Sequence, residues 1–413
     1  MPRSDVLCGL DMGSGRVTCV LARPAQDGDG VQVLAGAAAP CRGLKGGVVV
    51  NIAETARSVS IAIEEAEAAA KVEVKDVVLG VRGAHLQSFN NRGAINIART
   101  DKEITAEDVQ NVIENAKAVP ISSDREILHV VPQGYALDRQ RGVPNPVGME
   151  ASLLEVEVHI VTASGTHLSN IIKSVNKAGF SVGESVYNLL AVGDLAVTPE
   201  EKELGCLLID LGGQTISLGI YSEGFLRYSK ELPLGSDFIT RDLAYGLRTS
   251  LTTAQSIKER HGVALSGLLN GEQDGEIAFV GVDGRTPHKI RTKTLLDYIQ
   301  PRIEQIFSVV AKDLQASNHS DLVAPSGAVL TGGGALLKGM AEAASELLEM
   351  PVRIGNPHRD TLRGREDLQT LPYAAALGLL LSSGQGRTGE GGEGGARKGG
   401  WRRRLSVLFQ DVF

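Results

Sequence analysis

The chain has 413 residues and a formal net charge of −7, and Ala, Val, Leu, Ile and Gly dominate while aromatics are scarce. That length suffices for two or three domains with well-buried cores, the composition fits an α/β protein, and the acidic balance argues against nucleic acid as a partner, which wants a basic face. Four scattered cysteines, Cys8, Cys19, Cys41 and Cys206, have no CxxC or Cys/His spacing, which argues against a disulfide scaffold or metal knuckle and for buried thiols in a reducing cytoplasm.

The chain opens straight into an apolar run, with no charged n-region and apolar h-region, so no secretory leader is expected. Val6, Leu7 and Cys8 lead into Asp11, Gly13, Ser14 and Gly15, and the β-prone run Val17 to Leu21 follows at once. This pattern predicts a hairpin with a glycine-rich tip. Glycine lets the tip curl until several amide N–H groups point at one spot, Ser14 adds a hydroxyl donor, and the turn can cradle a phosphate. Asp11, at the end of the first strand, is then placed to hold a hydrated Mg²⁺ on that phosphate. An ordinary structural hairpin would use the same turn formers.

Val31 to Leu34 is strand-like, and Gly43 to Val50 leads into a helical pattern from Ile52 to Lys71, with Ile52, Ala56, Val59, Ile63, Ala66 and Ala70 on one stripe. The continuous apolar run Val77 to Val81 predicts a strand buried on both faces. From about Leu86 the texture changes. Strand candidates at Ile95 to Ala98, Ile127 to Val131 and Leu153 to Val161 surround a helix at Ala106 to Val119, with Thr105 as its N-cap, Asp108 three residues on, Ile104 stapling onto Val109, and Pro120 ending it. A Pro/Gly-rich loop from Pro132 to Gly148 lies between them. These features predict a small α+β module inserted at 86–161.

A helix at Leu168 to Ala178, a strand at Ser181 to Tyr187 and an apolar connecting helix at Leu189 to Val197 return the chain to its core pattern. The opening motif then recurs: Leu207, Leu208, Ile209, Asp210, Leu211, Gly212, Gly213, Gln214 and Thr215, followed by the strand Ile216, Leu218, Ile220. Two such hairpins suggest a duplicated domain with a phosphate chain clamped between the halves and Asp11 and Asp210 meeting at one Mg²⁺. Next come a strand at Phe225 to Ser229 and helices near Ser236 to Leu247 and Thr252 to His261, the latter with Gln255 and Lys258 on one face. A variable region from Val263 to Gln315 ends in a helical run, Leu295 to Leu314. A third glycine motif, the strand Ala328 to Thr331 followed by Gly332, Gly333 and Gly334, would let the backbone lie flat against a planar nucleoside. The core closes with a strand at Val352 to Ile354 and an Ala/Gly-rich helix, Tyr373 to Leu381.

Residues 382–400 differ in kind: nine of the nineteen are Gly, which predicts a flexible linker with an r.m.s. reach on the order of 25 Å. Beyond it, Trp401, Leu405, Leu408, Phe409 and Val412 fall on one helical stripe, flanked by Arg402, Arg403 and Arg404. A helix of that length measures about 20 Å against a hydrocarbon core of about 30 Å, so it is expected to lie in an anionic membrane interface rather than span it. Each Arg near such a surface is worth roughly 1 kcal/mol, so one tail binds marginally and stable attachment needs many tails on one assembly. A tail helix docking on its own domain or a partner groove is the bland alternative.

The three glycine motifs in this order resemble the phosphate-1, phosphate-2 and adenosine motifs of the actin-like ATPase superfamily. With the inserted module and the tethered helix added, the chain resembles the FtsA family of bacterial cell-division proteins over nearly its whole length; Leu247 to Ser250 and Gln300 to Glu304 also match that family's second half. The resemblance implies an actin-like (ribonuclease H-like) duplicated fold with two lobes around a nucleotide cleft. The first core subdomain would take 1–85, 162–188 and 365–381; the second would take 189–248 and 320–364, with a variable subdomain at 249–319. It further implies ATP and Mg²⁺ as cofactors, head-to-tail polymers of the chain with itself, other divisome partners, and a peripheral location on the cytoplasmic face of the inner membrane at the midcell septum. The tail of the tubulin-like FtsZ would dock on the variable subdomain, with Arg302 as a candidate contact; a surface helix charge is the alternative for that residue.

The chain departs from the family at two places. Its second phosphate loop reads Gly213, Gln214, Thr215, Ile216, Ser217, where relatives commonly have another glycine, a second hydroxyl and an acid, and Gln255 stands where an acid is usual before Lys258. Fewer polar groups around the terminal phosphate imply ATP binding with slow turnover at most. Two rivals share the cleft. An actin-fold small-molecule kinase would not need the linker and tail, and a type IV pilus assembly ATPase with the same insertion is expected to lack the 401–413 helix.

Overall fold

The computed structural model describes residues 6–25, 30–268, 275–323, 325–357 and 360–384. The chain starts with an antiparallel meander, β1 (Leu7–Met12), β2 (Arg16–Pro24) and β3 (Val31–Pro40), then a two-residue-stranded hairpin, β4 (Leu44–Lys45) and β5 (Val48–Val49), helix α1 (Ile52–Ala70) and strand β6 (Asp76–Val81). Asn51 caps α1 by accepting from the amides of Ala53 and Glu54, and Ala56, Val59, Ile63 and Ala66 of the foreseen stripe are buried.

An α+β insertion follows: β7 (Gln87–Asn96), α2 (Ala106–Lys117), β8 (Arg125–Leu137), β9 (Gln140–Val143) and β10 (Leu153–Ser164). The first lobe then resumes with α3 (Gly165–Lys177) and β11 (Ser181–Tyr187), and α4 (Asn188–Ala196) and α5 (Pro199–Leu204) cross to the second. The second lobe holds β12 (Cys206–Leu211), β13 (Ile216–Ser222), β14 (Phe225–Leu232), α6 (Asp237–Gly246), α7 (Leu251–His261), the hairpin β15 (Glu276–Val280) and β16 (Pro287–Arg291), α8 (Thr292–Ala316), β17 (Ala328–Thr331), α9 (Met340–Leu348) and β18 (Val352–Ile354). The short β19 (Leu362–Arg363) and helix α10 (Ala374–Gly384) return to the first lobe.

Strand order β11-β6-β1-β2-β3-β19 in one sheet and β14-β13-β12-β17-β18 in another makes the internal duplication visible. In each lobe an antiparallel meander is extended by a strand parallel to its first member, β6 beside β1 and β17 beside β12. Registers coincide: Asp11 lies opposite Thr18 and Asp210 opposite Ser217, each one residue before the end of its strand. The turns close alike too, with Gly13 N donating to the Arg16 carbonyl at 2.9 Å and Gly212 N to the Thr215 carbonyl at 3.0 Å.

The insertion has its own core of Ile104, Val109, Val112, Ile113, Leu154, Val158 and Ile160 beneath α2. Thr105 and Asp108 form the expected capping box, and Ile104 and Val109 are both buried. Three strand positions differ from expectation, β9 among them, since it forms within the stretch read as a Pro/Gly-rich loop. β7 is a polar edge strand with little apolar alternation, so it begins well before the predicted Ile95. β8 runs on through Pro132 and Gly134, read from sequence as loop, because the ladder shifts register there and a bulge tolerates a proline. At the other end α10 continues through Gly384, with the Ser382 hydroxyl donating to the Gly378 carbonyl, so the helix takes the first residues assigned to the linker. The rest of that linker and the 401–413 helix lie outside the described residues.

Candidate functional site

Both hairpin turns and the third glycine motif face one another at the carboxyl ends of their strands, where open α/β sheets place ligands. They line a single cleft of about 1500 Å³ between the lobes. Every nucleotide-site residue proposed from the sequence borders it: Asp11, Gly13, Ser14 and Gly15 from the first lobe, and Asp210, Gly212, Gly213, Gln214, Thr215, Gln255, Lys258, Gly332, Gly333 and Gly334 from the second.

At the base of the cleft, Asp11 and Asp210 meet across the guanidinium of Arg82, whose Nη2 donates to Asp210 Oδ2 at 3.0 Å and whose Nε lies 3.5 Å from Asp11 Oδ1. Asn188 Nδ2 donates to Asp11 Oδ1 at 2.6 Å. Burial pushes the Asp210 carboxyl above its ordinary range, Arg82 pulls it back, and the nearby Asp11 raises it further. Burial disfavours the Arg82 charge, and Asp11, Asp210 and Glu231 outweigh that effect, so the guanidinium stays charged.

The second-lobe turn is braced from below. Ser236 N donates to the Gly212 carbonyl at 2.9 Å and Asp237 N to the Gly213 carbonyl at 2.7 Å, which seats the turn on the start of α6. Lys258 Nζ donates to the Ser236 carbonyl at 3.2 Å, and its burial pulls its pKa below the ordinary lysine range. Gln214 spans the lobes: Oε1 accepts from Gly46 N at 3.0 Å while Nε2 donates to Asp237 Oδ2 at 3.2 Å. Gln255 accepts from Thr240 Oγ1 at 2.5 Å and donates to Glu259.

A hydrated Mg²⁺ fits this donor set. Two carboxylates from different lobes face each other over a cation, and Thr331 Oγ1, a buried oxygen without a hydrogen bond, belongs to a residue lining the same cleft. Gly332, at φ +84, lets the third motif pass so close that an added Cβ would stand 2.3 Å from Asp210 Oδ1.

Sequence reasoning missed Arg82, Asn188 and Glu231. The first two directly follow the strands β6 and β11, at the same sheet end as Asp11, and that position was the available signal. Glu231 had none: it is buried on β14, where its Oε2 accepts from Gly83 N at 3.1 Å.

Burial raises Glu231 from 4.5 to about 7, against the pull of Ser217, Arg82 and Tyr187. Between those two values the folded chain keeps a proton that the unfolded chain has lost. This group's contribution to stability is therefore full below 4.5 and is lost as the pH rises through about 7. The unfolding free energy from urea titrations is expected to fall between about pH 5 and pH 8 by on the order of 2 kcal/mol more in the wild type than in Glu231→Gln. Parallel curves would refute the assignment.

Arg302, the candidate partner contact, forms a two-pronged pair with Asp242, Nε to Oδ2 at 2.6 Å and Nη2 to Oδ1 at 2.9 Å, and lies 5.6 Å from the centroid of the Phe238 ring.

Comparison with known proteins agrees with this architecture. The family model described as "SHS2 domain inserted in FTSA" matches residues 83–162, and that described as "Cell division protein FtsA" matches 207–378. The chain is 36% identical to the FtsA of Pseudomonas aeruginosa, covering 91% of this chain and 88% of that one. It is 32% identical to the FtsA of Escherichia coli K12, covering 99% and 98%. Among solved structures it resembles the PilM-PilN type IV pilus biogenesis complex, with TM-score 0.65 at 17% identity over 92% of this chain and 98% of that one. It also resembles MreB5 of Spiroplasma citri, with TM-score 0.54 at 13% identity over 91% and 95%. These likenesses establish the actin-like fold. The SHS2 match falls on the insertion and the FtsA match on the second lobe, and with identity sustained across nearly the whole chain this places the protein in the FtsA family of actin-like cell-division proteins.

Proposed function

We propose that this chain binds ATP with Mg²⁺ in the inter-lobe cleft, polymerises head to tail, and tethers FtsZ filaments to the cytoplasmic face of the inner membrane at the division septum. The observation that carries the reading is the convergence of the two matched turns, with Asp11 and Asp210, on one cleft. The amides of Gly13 to Gly15 and of Gly212 to Gln214 would cradle the phosphates, and Gly332 to Gly334 would border the nucleoside. Asp11 and Asp210 would hold the metal through its water shell, and the ion supplies charge neutralisation to the phosphate chain. MreB5 of Spiroplasma citri has been solved bound to ADP and bound to AMPPNP, which supports a nucleotide in this fold.

Turnover is slow in this reading. Fast hydrolysis needs an oriented water and charge stabilisation, whereas Gln214 is committed to Gly46 and Asp237. FtsZ-tail docking at Arg302 would require an acidic peptide to exchange with, or add to, Asp242.

Among the described residues no helix is long and apolar enough to cross a membrane. Peripheral attachment through Trp401, Arg402, Arg403, Arg404, Leu405, Leu408, Phe409 and Val412 is therefore the proposed link to anionic lipid. Deleting 401–413 is expected to move the ATP-loaded chain from the pellet to the supernatant when it is sedimented with anionic liposomes. Undiminished co-sedimentation would overturn the membrane reading.

A further inference from the structure

Arg82 occupies a position with two connections. Its guanidinium is shared between the carboxylates of Asp11 and Asp210, and Nη1 stands 3.4 Å from where a Cβ on Gly212 would lie, against the second phosphate turn. Its main chain begins the crossing into the inserted subdomain, since β7 starts at Gln87. That crossing is tightly held. Gly83 N donates to Glu231 Oε2 at 3.1 Å, and an added Cβ on Gly47 would meet the Arg82 carbonyl at 2.3 Å and Gly83 Cα at 2.6 Å.

The subdomain then seats on the strand that carries Glu231. The Ser88 hydroxyl donates to the Ser229 carbonyl at 2.7 Å, Asn90 Nδ2 donates to the Arg227 carbonyl at 3.0 Å, and His159 Nε2 lies 2.8 Å from the Ser229 hydroxyl. A shift of the 82–83 segment against β14 therefore acts on one of the contacts that seat the insertion, alongside those of Gln133 with Leu226 and His129 with Tyr187.

We propose that Arg82 is a positioning residue that relays nucleotide state: its guanidinium competes with a divalent cation for Asp11 and Asp210, so that metal–nucleotide loading moves the segment leading into the inserted subdomain. The inference rests on the nucleotide reading above. A divalent cation and the guanidinium repel each other, so a metal drawn to these two carboxylates weakens the hold of Arg82 on them. Releasing even one carboxylate displaces a side chain whose backbone is clamped to Gly47 and Glu231.

The test uses the full chain, with fluorescent ATP titrated in EDTA and in Mg²⁺, and hydrogen exchange followed over residues 83–96. In the wild type, exchange over that segment is expected to differ between ATP with EDTA and ATP with Mg²⁺. In Arg82→Gln the factor by which Mg²⁺ tightens ATP binding is expected to grow by about tenfold, because a charge partner a few ångströms away is worth that much in an equilibrium constant. The exchange difference is expected to vanish in this variant, and Arg82→Lys, which keeps the charge, is expected to fall between.

Equal weakening of ATP by Arg82→Gln with and without Mg²⁺ would overturn the proposal by making Arg82 a simple phosphate ligand. So would identical wild-type exchange in the two conditions, a comparison that decides the matter even if the variant does not fold. Wild-type protein that binds no ATP in either condition would instead sink the nucleotide reading, and this inference with it.

Discussion

Replacing Gly332 by alanine is expected to weaken ATP binding by at least about a hundredfold, or about 2.7 kcal/mol. Gly332 sits at φ +84, a conformation that L side chains rarely adopt. Its added Cβ would stand 2.3 Å from Asp210 Oδ1 and 2.6 Å from the Leu211 carbonyl. Asp210 cannot yield without breaking its pair with Arg82, and the Leu211 carbonyl belongs to the β12 ladder. Alanine therefore pushes the third motif away from the aspartate, and the wall proposed to border the nucleoside goes with it. Equilibrium titration with fluorescent ATP measures the loss, and a thermal melt of the same variant reports whether the lobe remains folded. A folded variant with wild-type affinity would show that this motif does not border the bound nucleotide.

Truncating Phe307 to alanine is expected to cost about 3–5 kcal/mol of stability, the range for deleting a large side chain from a filled core. Phe307 is fully buried on α8, in the cluster that joins this helix to α6, α7 and the sheet of the second lobe. The same helix carries Arg302, so the proposed docking face depends on this core for its position. Urea denaturation followed by circular dichroism reads the change. Tyr245→Ala, at a side chain 89% exposed, provides the contrast and should stay within about 0.5 kcal/mol of wild type. Equal effects at the two positions would mean that the second-lobe core is not packed around Phe307.

The elements that could be read from the sequence are those whose cause is local. The Asp11 and Asp210 hairpins are apolar runs closed by glycine turns, and they emerged with matching register. The Thr105–Asp108 capping box and the Asn51-capped α1 likewise depend on residues within one helical turn. Where a partner strand decided the outcome, the sequence misled. β7 lacks alternation because it lies at an edge, and β8 passes through Pro132 because a bulge against β10 absorbs it. Arg302 shows the same limit at the surface, since its pairing with Asp242 joins residues 60 positions apart.

By itself, then, the order of residues determined two matched glycine turns, a third glycine turn, a self-capped insertion and the fourteen candidate positions that border one cleft. These follow from short-range rules of turn geometry, capping and hydrophobic period. Only the tertiary structure decided that the two aspartates share Arg82, that Asn188 orients one of them, and that Glu231 ties the crossing segment to β14. The physical reason is separation along the chain: Arg82 and Asp210 stand 128 residues apart and Asp11 and Asn188 177 apart. No local pattern encodes such pairs. They form because two matched sheets bring the carboxyl ends of their strands to one place, where buried charge has to find a partner.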